Sequence, residues 1–109
     1  MSPNKICRLD ELPANGAKGM VALIDGKQRN IFIIRWGNKV YAYLNWCPHN
    51  QALIDQIPGR FFNDEKSLIR CSKHGALFRI KDGYCVEGPC EGESLKAVST
   101  EIREGEVFL

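Results

Sequence analysis

Short apolar runs alternate with turn-forming dipeptides along this chain, a rhythm that predicts strands rather than helices. Residues 21–24 (Val-Ala-Leu-Ile) run into Asp25-Gly26, a hairpin signal, and residues 29–36 follow as a β-rich stretch. Gly37-Asn38 marks a second tight turn, after which residues 40–44 (Val-Tyr-Ala-Tyr-Leu) alternate as a half-buried strand does. Residues 67–70 read as a short strand entering Cys71, and residues 77–80 (Leu-Phe-Arg-Ile) as another that ends at the turn Lys81-Asp82-Gly83. Residues 95–100 and 106–109 read as two closing strands around Glu104-Gly105. One helical turn is expected near Asp10-Glu11-Leu12, where Pro13 stops it. Repeats and low-complexity segments are absent. The fold class this predicts is all-β, an antiparallel sandwich or small barrel.

Length and composition narrow the picture. A chain of 109 residues has room for one hydrophobic core, so residues 1–109 are read as a single domain. A hydrophobic content of 44% with 26% charged residues is ordinary for a soluble globular protein. The apolar runs, such as residues 31–34, are strand-sized and far too short to span a bilayer. Met1-Ser2-Pro3-Asn4-Lys5 carries no apolar leader, so a cytoplasmic location and no membrane partner are expected.

The net charge of +2 hides a gradient. Residues 1–39 hold seven Lys/Arg against three Asp/Glu, residues 40–80 five against three, and residues 81–109 three against seven. No like-charge cluster is long enough for a nucleic-acid arm, and aromatics are not interleaved with the basic residues, so nucleic acid is not an expected partner.

The chemistry lies in the cysteines and histidines. Five cysteines is an odd number, which excludes a fully paired disulfide scaffold within one chain. A reducing compartment favours thiolates as metal ligands. The chain has two histidines, and each stands beside a cysteine: Cys47-Pro48-His49, then 21 residues, then Cys71-Ser72-Lys73-His74-Gly75. One C-x-H and one C-x-x-H, each following a predicted strand, supply four ligands in two matched halves, as a metal centre requires. Any one of these residues alone would be read as ordinary core or surface. Zinc also accepts two cysteines and two histidines, but zinc modules generally pair like with like, whereas each half here offers one of each. Of the remaining cysteines, Cys7 sits in a short apolar stretch and is expected to pack as a small hydrophobe; Cys85 and Cys90 are not needed as ligands.

The two loops resemble those of the Rieske [2Fe–2S] proteins, in which two cysteines hold one iron and two histidines the other. The resemblance runs from about residue 5 to residue 109. Gly75 matches the family's C-x-x-H-G, Leu77-Phe78 followed by Asp82-Gly83 is similar to the segment after its second loop, and Gly88-Pro89-Cys90 looks like its proline loop. The resemblance implies one [2Fe–2S] cluster held by Cys47, His49, Cys71 and His74. It also implies a cluster-binding subdomain, at about residues 45–90, built from two hairpin loops on a Rieske-like β-sandwich or barrel. High-potential members carry an extra cysteine in each loop, joined as a disulfide, and a Ser and a Tyr donating to cluster sulfurs. Here neither loop has the extra cysteine, and Ala76 and Phe78 stand at the donor positions, so a potential low in the Rieske range is expected. The 21-residue spacer is longer than is typical of small Rieske ferredoxins, and its extra length is read as a hairpin including residues 58–63.

Nothing else in the chain assembles into an active site: there is no G-x-G-x-x-G, no phosphate loop and no third histidine. The expected role is therefore electron carriage, not catalysis. The resemblance implies a monomeric ferredoxin that passes single electrons from a reductase to a terminal oxygenase, both docking transiently. The competing readings are a Rieske-like small subunit of a larger complex such as a nitrite reductase, and a structural zinc module.

Overall fold

The computed structural model describes residues 5–12, 15–24, 26–46, 53–55, 61–63, 67–71, 75–88 and 92–109. Among the described residues, ten strands fall into three antiparallel sheets, with one short 3-10 turn at Leu9–Glu11 where the helical turn was expected. The stopping residue, Pro13, lies outside the described residues.

The middle sheet has the order β2-β3-β4-β8 and contains β2 (Gly16–Ile24), β3 (Lys27–Trp36), β4 (Lys39–Leu44) and β8 (Ala97–Val98). Strand β3 explains the architecture. Its run Ile31, Phe32, Ile33 and Ile34 is fully buried, and the period-2 alternation of a strand sends alternate residues to opposite faces. Ile31 and Ile33 enter one core with Ala22, Ala42, Cys7 and Val107; Phe32 and Ile34 enter another with Tyr43, Phe61, Ile69 and Phe78. One uninterrupted apolar run thus serves two cores, which is why it shows no polar alternation.

The first core is closed by a sheet of order β1-β10-β9, formed by β1 (Lys5–Arg8), β10 (Glu106–Phe108) and β9 (Glu101–Arg103). Cys7 packs there as a small hydrophobe, as expected, and burial pushes its thiol pKa up, with Glu11 adding to the shift. The second core is closed by the small sheet β5-β6-β7, with β5 (Ile69–Arg70), β6 (Leu77–Phe78) and β7 (Cys85–Glu87).

Several expected strands are corrected. Residues 67–70 and 77–80 shrink to Ile69–Arg70 and Leu77–Phe78. At one end Asn63 bends the chain by accepting the Ser67 and Leu68 N–H groups at 3.0 and 3.1 Å; at the other, residues 79–84 close a turn. Residues 95–100 keep only Ala97–Val98, which pairs with β4. The strand across Glu104-Gly105 from β10 is Glu101–Arg103 instead. All three of its residues are exposed, so no burial pattern announces it.

Candidate metal centre

The second of the two expected ligand loops joins the paired strands β5 and β6. Strand β5 ends at Arg70, strand β6 begins at Leu77, and these two residues pair across the ladder. Cys71 directly follows β5 and is fully buried in the second core. Its N–H donates to the Ala76 carbonyl at 2.9 Å, and its own carbonyl accepts the Gly75 N–H at 2.9 Å. Both backbone groups of the cysteine are thereby fixed, which limits where its sulfur can point.

Gly75 has φ +69°, and a Cβ there would have only Arg70 side-chain atoms near it, at 3.7 and 3.8 Å. The glycine is needed for left-handed backbone, not for space. Gly88 differs. At φ +106° its hypothetical Cβ would lie 2.8 Å from the Ala76 Cα, so the chain leaving β7 presses directly on the second ligand loop. The glycine of the expected proline loop therefore meets the loop that carries Cys71, while Pro89 and Cys90 lie outside the described residues.

The first ligand loop leaves β4, and Cys47 and His49 lie outside the described residues, as does His74 in the second loop. The flanks of the first loop are well defined. Asn45, the one buried polar side chain among the described residues, accepts the Ile54 N–H on its Oδ1 at 2.8 Å and donates Nδ2–H to Asp55 Oδ1 at 2.8 Å. Its own N–H donates to the Asn30 carbonyl at 2.9 Å, and Trp46 N–H donates to the Leu44 carbonyl at 2.9 Å, a γ-turn just before Cys47. The Asn45 side chain thus ties the two ends of the loop together, while its backbone N–H holds them to β3. Sequence reading passed over Asn45; the available signal was an isolated amide closing an apolar strand immediately ahead of Trp46-Cys47.

One further side-chain link joins this end of the molecule to the middle sheet, and a second set of contacts braces the turn at residues 79–84. The Tyr43 hydroxyl donates to the Ile80 carbonyl at 2.5 Å, and its pKa is raised, chiefly by burial and then by the nearby Asp82. Asp82 receives a two-point contact from Arg79, at 3.0 and 2.6 Å, and accepts the Tyr84 N–H at 3.1 Å. The Arg79 hydrogen bond, then that from the Tyr84 backbone, holds its carboxyl below the usual range. Ala76 and Phe78 are both fully buried beside the second loop. Cys85 is buried in the same core, on β7, and its Sγ donates to the Glu87 carbonyl at 3.4 Å.

The Rieske [2Fe–2S] domain family matches residues 2–102. The chain belongs to that family.

Among solved structures, the ferredoxin of carbazole 1,9a-dioxygenase from Nocardioides aromaticivorans IC177 is similar to this Rieske protein over 99% of this chain and 96% of its own, with 25% identity and a TM-score of 0.77. A chain in a complex of reduced oxygenase and oxidized ferredoxin in carbazole 1,9a-dioxygenase matches 95% of this chain and 88% of its own, at 23% identity and a TM-score of 0.74. A putative nitrite reductase NADPH (small subunit) oxidoreductase protein matches 100% and 99%, at 23% identity and a TM-score of 0.70. At their identity the last two likenesses show the fold alone. The family implies a [2Fe–2S] cluster, and the described part of the site fits one. A buried cysteine stands at the mouth of a hairpin loop with its backbone fixed, and a thiolate is the ligand iron–sulfur centres take. Among the described residues, no helix of this Rieske domain is long and apolar enough to cross a membrane.

Proposed function

We propose that this protein is a one-electron carrier whose [2Fe–2S] cluster is held by Cys47, His49, Cys71 and His74, and that it carries electrons from a reductase to a terminal oxygenase. The observation that carries the reading is the end-to-end likeness to a dioxygenase ferredoxin, 99% of one chain against 96% of the other. The fully buried Cys71 at the hairpin mouth supports the ligand set. When bound, the cluster supplies a reversible one-electron couple. The chain's own residues do the rest: Asn45 and the hairpin bonds of Cys71 hold the two loops on a rigid sheet, and the second core keeps water from the Cys71 side chain.

Ultraviolet–visible and EPR spectra of the freshly purified protein test this directly. The expected result is the absorption and reduced-state signal of a Rieske centre with two iron and two labile sulfide per chain. A colourless protein replete with zinc would overturn it. The likeness to a putative nitrite reductase small subunit keeps a second reading in view, that of a subunit bound permanently to a large reductase. Size-exclusion chromatography of the native protein separates the two: a carrier elutes alone, a subunit with its large partner.

A further inference from the structure

Two grooves that share lining residues join into one surface reaching Trp46. One, of about 510 Å³, is lined by Ile24, Lys27, Arg29, Leu44, Lys96 and the adjoining β8 backbone segment. The other, of about 420 Å³, shares Arg29, Leu44 and Lys96 with it and continues past Asn30 and Asn45 to Trp46. Every charged side chain lining the pair among the described residues is a cation: Lys27, Arg29 and Lys96. All three are exposed, and none has an ion-pair partner among the described residues. The acidic residues 101, 104 and 106 lie on β9, on β10 and in the turn between them, and none of them lines either groove. At the far end of the groove the half-exposed Trp46 precedes Cys47 directly in the chain.

From this arrangement we infer that the groove is a docking surface for an acidic segment of a protein redox partner. The inference rests on the electron-carrier reading and adds the sign and place of the contact. Net charge alone assigns neither; the concentration of unpaired cations in one concave strip beside the loop does. Trp and Arg are the side chains that most often anchor protein interfaces, and Trp46 and Arg29 line the same groove. A carboxylate-rich surface seated along Lys27, Arg29 and Lys96 would abut Trp46, the residue that directly precedes Cys47 in the chain.

The test uses the full-length, cluster-loaded protein and a defined probe, an octaglutamate peptide, in low salt, followed by two-dimensional NMR. Shifts are expected at residues 27, 29, 96 and 97 and at the Trp46 indole, fading as salt is raised. The triple variant Lys27→Thr, Arg29→Thr, Lys96→Thr should weaken binding about tenfold or more, since each exposed pairing contributes a fraction of that factor. Lys39→Thr with Lys81→Thr, which removes two cations outside the groove, should leave it unchanged. Equal shifts around Lys39 and Lys81, no binding in low salt, or equal binding of an octalysine peptide in the groove would each overturn the inference. The EPR spectrum of each variant is recorded alongside, so loss of the carrier reading itself would show as a missing Rieske signal in the native protein, whatever the peptide does.

Discussion

The two cores on either side of the middle sheet are built by different means. The first lies between long strands: β2 pairs with β3 along its whole length, and β1 and β10 close over the top. Its order comes from continuous backbone ladders and apolar burial. The second lies under strands of two or three residues, too short to hold register by laddering alone. Point contacts take over there: Asn45 to Ile54 and Asp55, Asn63 to Ser67 and Leu68, Tyr43 to Ile80, and the backbone of Ala76 against Gly88. A site needs loops, and loops give up ladder bonds, so specific contacts hold the described irregular segments instead. Damage should therefore spread evenly in the first core and act locally in the second.

The sharpest contrast is between two buried cysteines. Cys71→Ala should abolish the cluster, removing both visible absorption and the EPR signal, while Cys7→Ala in the opposite core should keep them. Full cluster occupancy in Cys71→Ala would refute the ligand assignment. Next in size, Ile33→Ala removes a fully buried side chain from the first core and should cost about 2–5 kcal/mol in a urea titration, with the Rieske spectrum intact in the folded fraction.

Asn45→Ala should divide stability from site integrity. Leaving the buried Ile54 N–H without its acceptor costs about 1–3 kcal/mol, and release of iron to a chelator should accelerate because both ends of the first loop lose their clasp. An unchanged release rate would mean that the loop holds itself. A gain of function sharpens the same region: Ala76→Ser with Phe78→Tyr adds two hydroxyls beside the second loop and should raise the midpoint potential by on the order of 100 mV, within a Rieske span of about −150 to +300 mV. Protein-film voltammetry reads this. A wild-type potential already near the top of that span would show that backbone donors outweigh the missing hydroxyls.

The smallest effect is one of pH. Asp82 has its carboxyl below the ordinary 3.8, chiefly through the Arg79 hydrogen bond. Its folded-state pKa is the lower one, so its stabilisation is present above the unfolded value and is lost as the pH falls through the folded value. The pair is exposed, so Asp82→Asn should flatten the acid limb of a stability profile only slightly below pH 4.

Much of this molecule is written locally. The turns at Gly26, Gly37, Gly83 and Glu104-Gly105 all have positive φ at the residues whose chemistry announces them, and β3 and β4 fall within a residue or two of their apolar patterns. The placing of each histidine beside a cysteine was also visible, because residue type and spacing are properties of a short stretch of chain. Residue 71 follows its strand as expected, and the ligand set of residues 47, 49, 71 and 74 is part of the proposal.

What the tertiary structure decided are relations between distant segments. The sequence could not show that β10 pairs with β9 and β1, that Ala97–Val98 leaves them for β4, or that the Arg70 N–H reaches the Phe61 carbonyl at 2.8 Å. Residues 58–60 of the expected hairpin lie outside the described residues. Nor could it show that Gly88 must be small because Ala76 lies beneath it, or that Lys27, Arg29 and Lys96 share a groove with Trp46. Strand period and turn type follow from φ/ψ preferences within a few residues. Which strands meet, and which side chains end up beside one another, depends on how two apolar faces of one sheet are covered at once, and only the packed chain satisfies both.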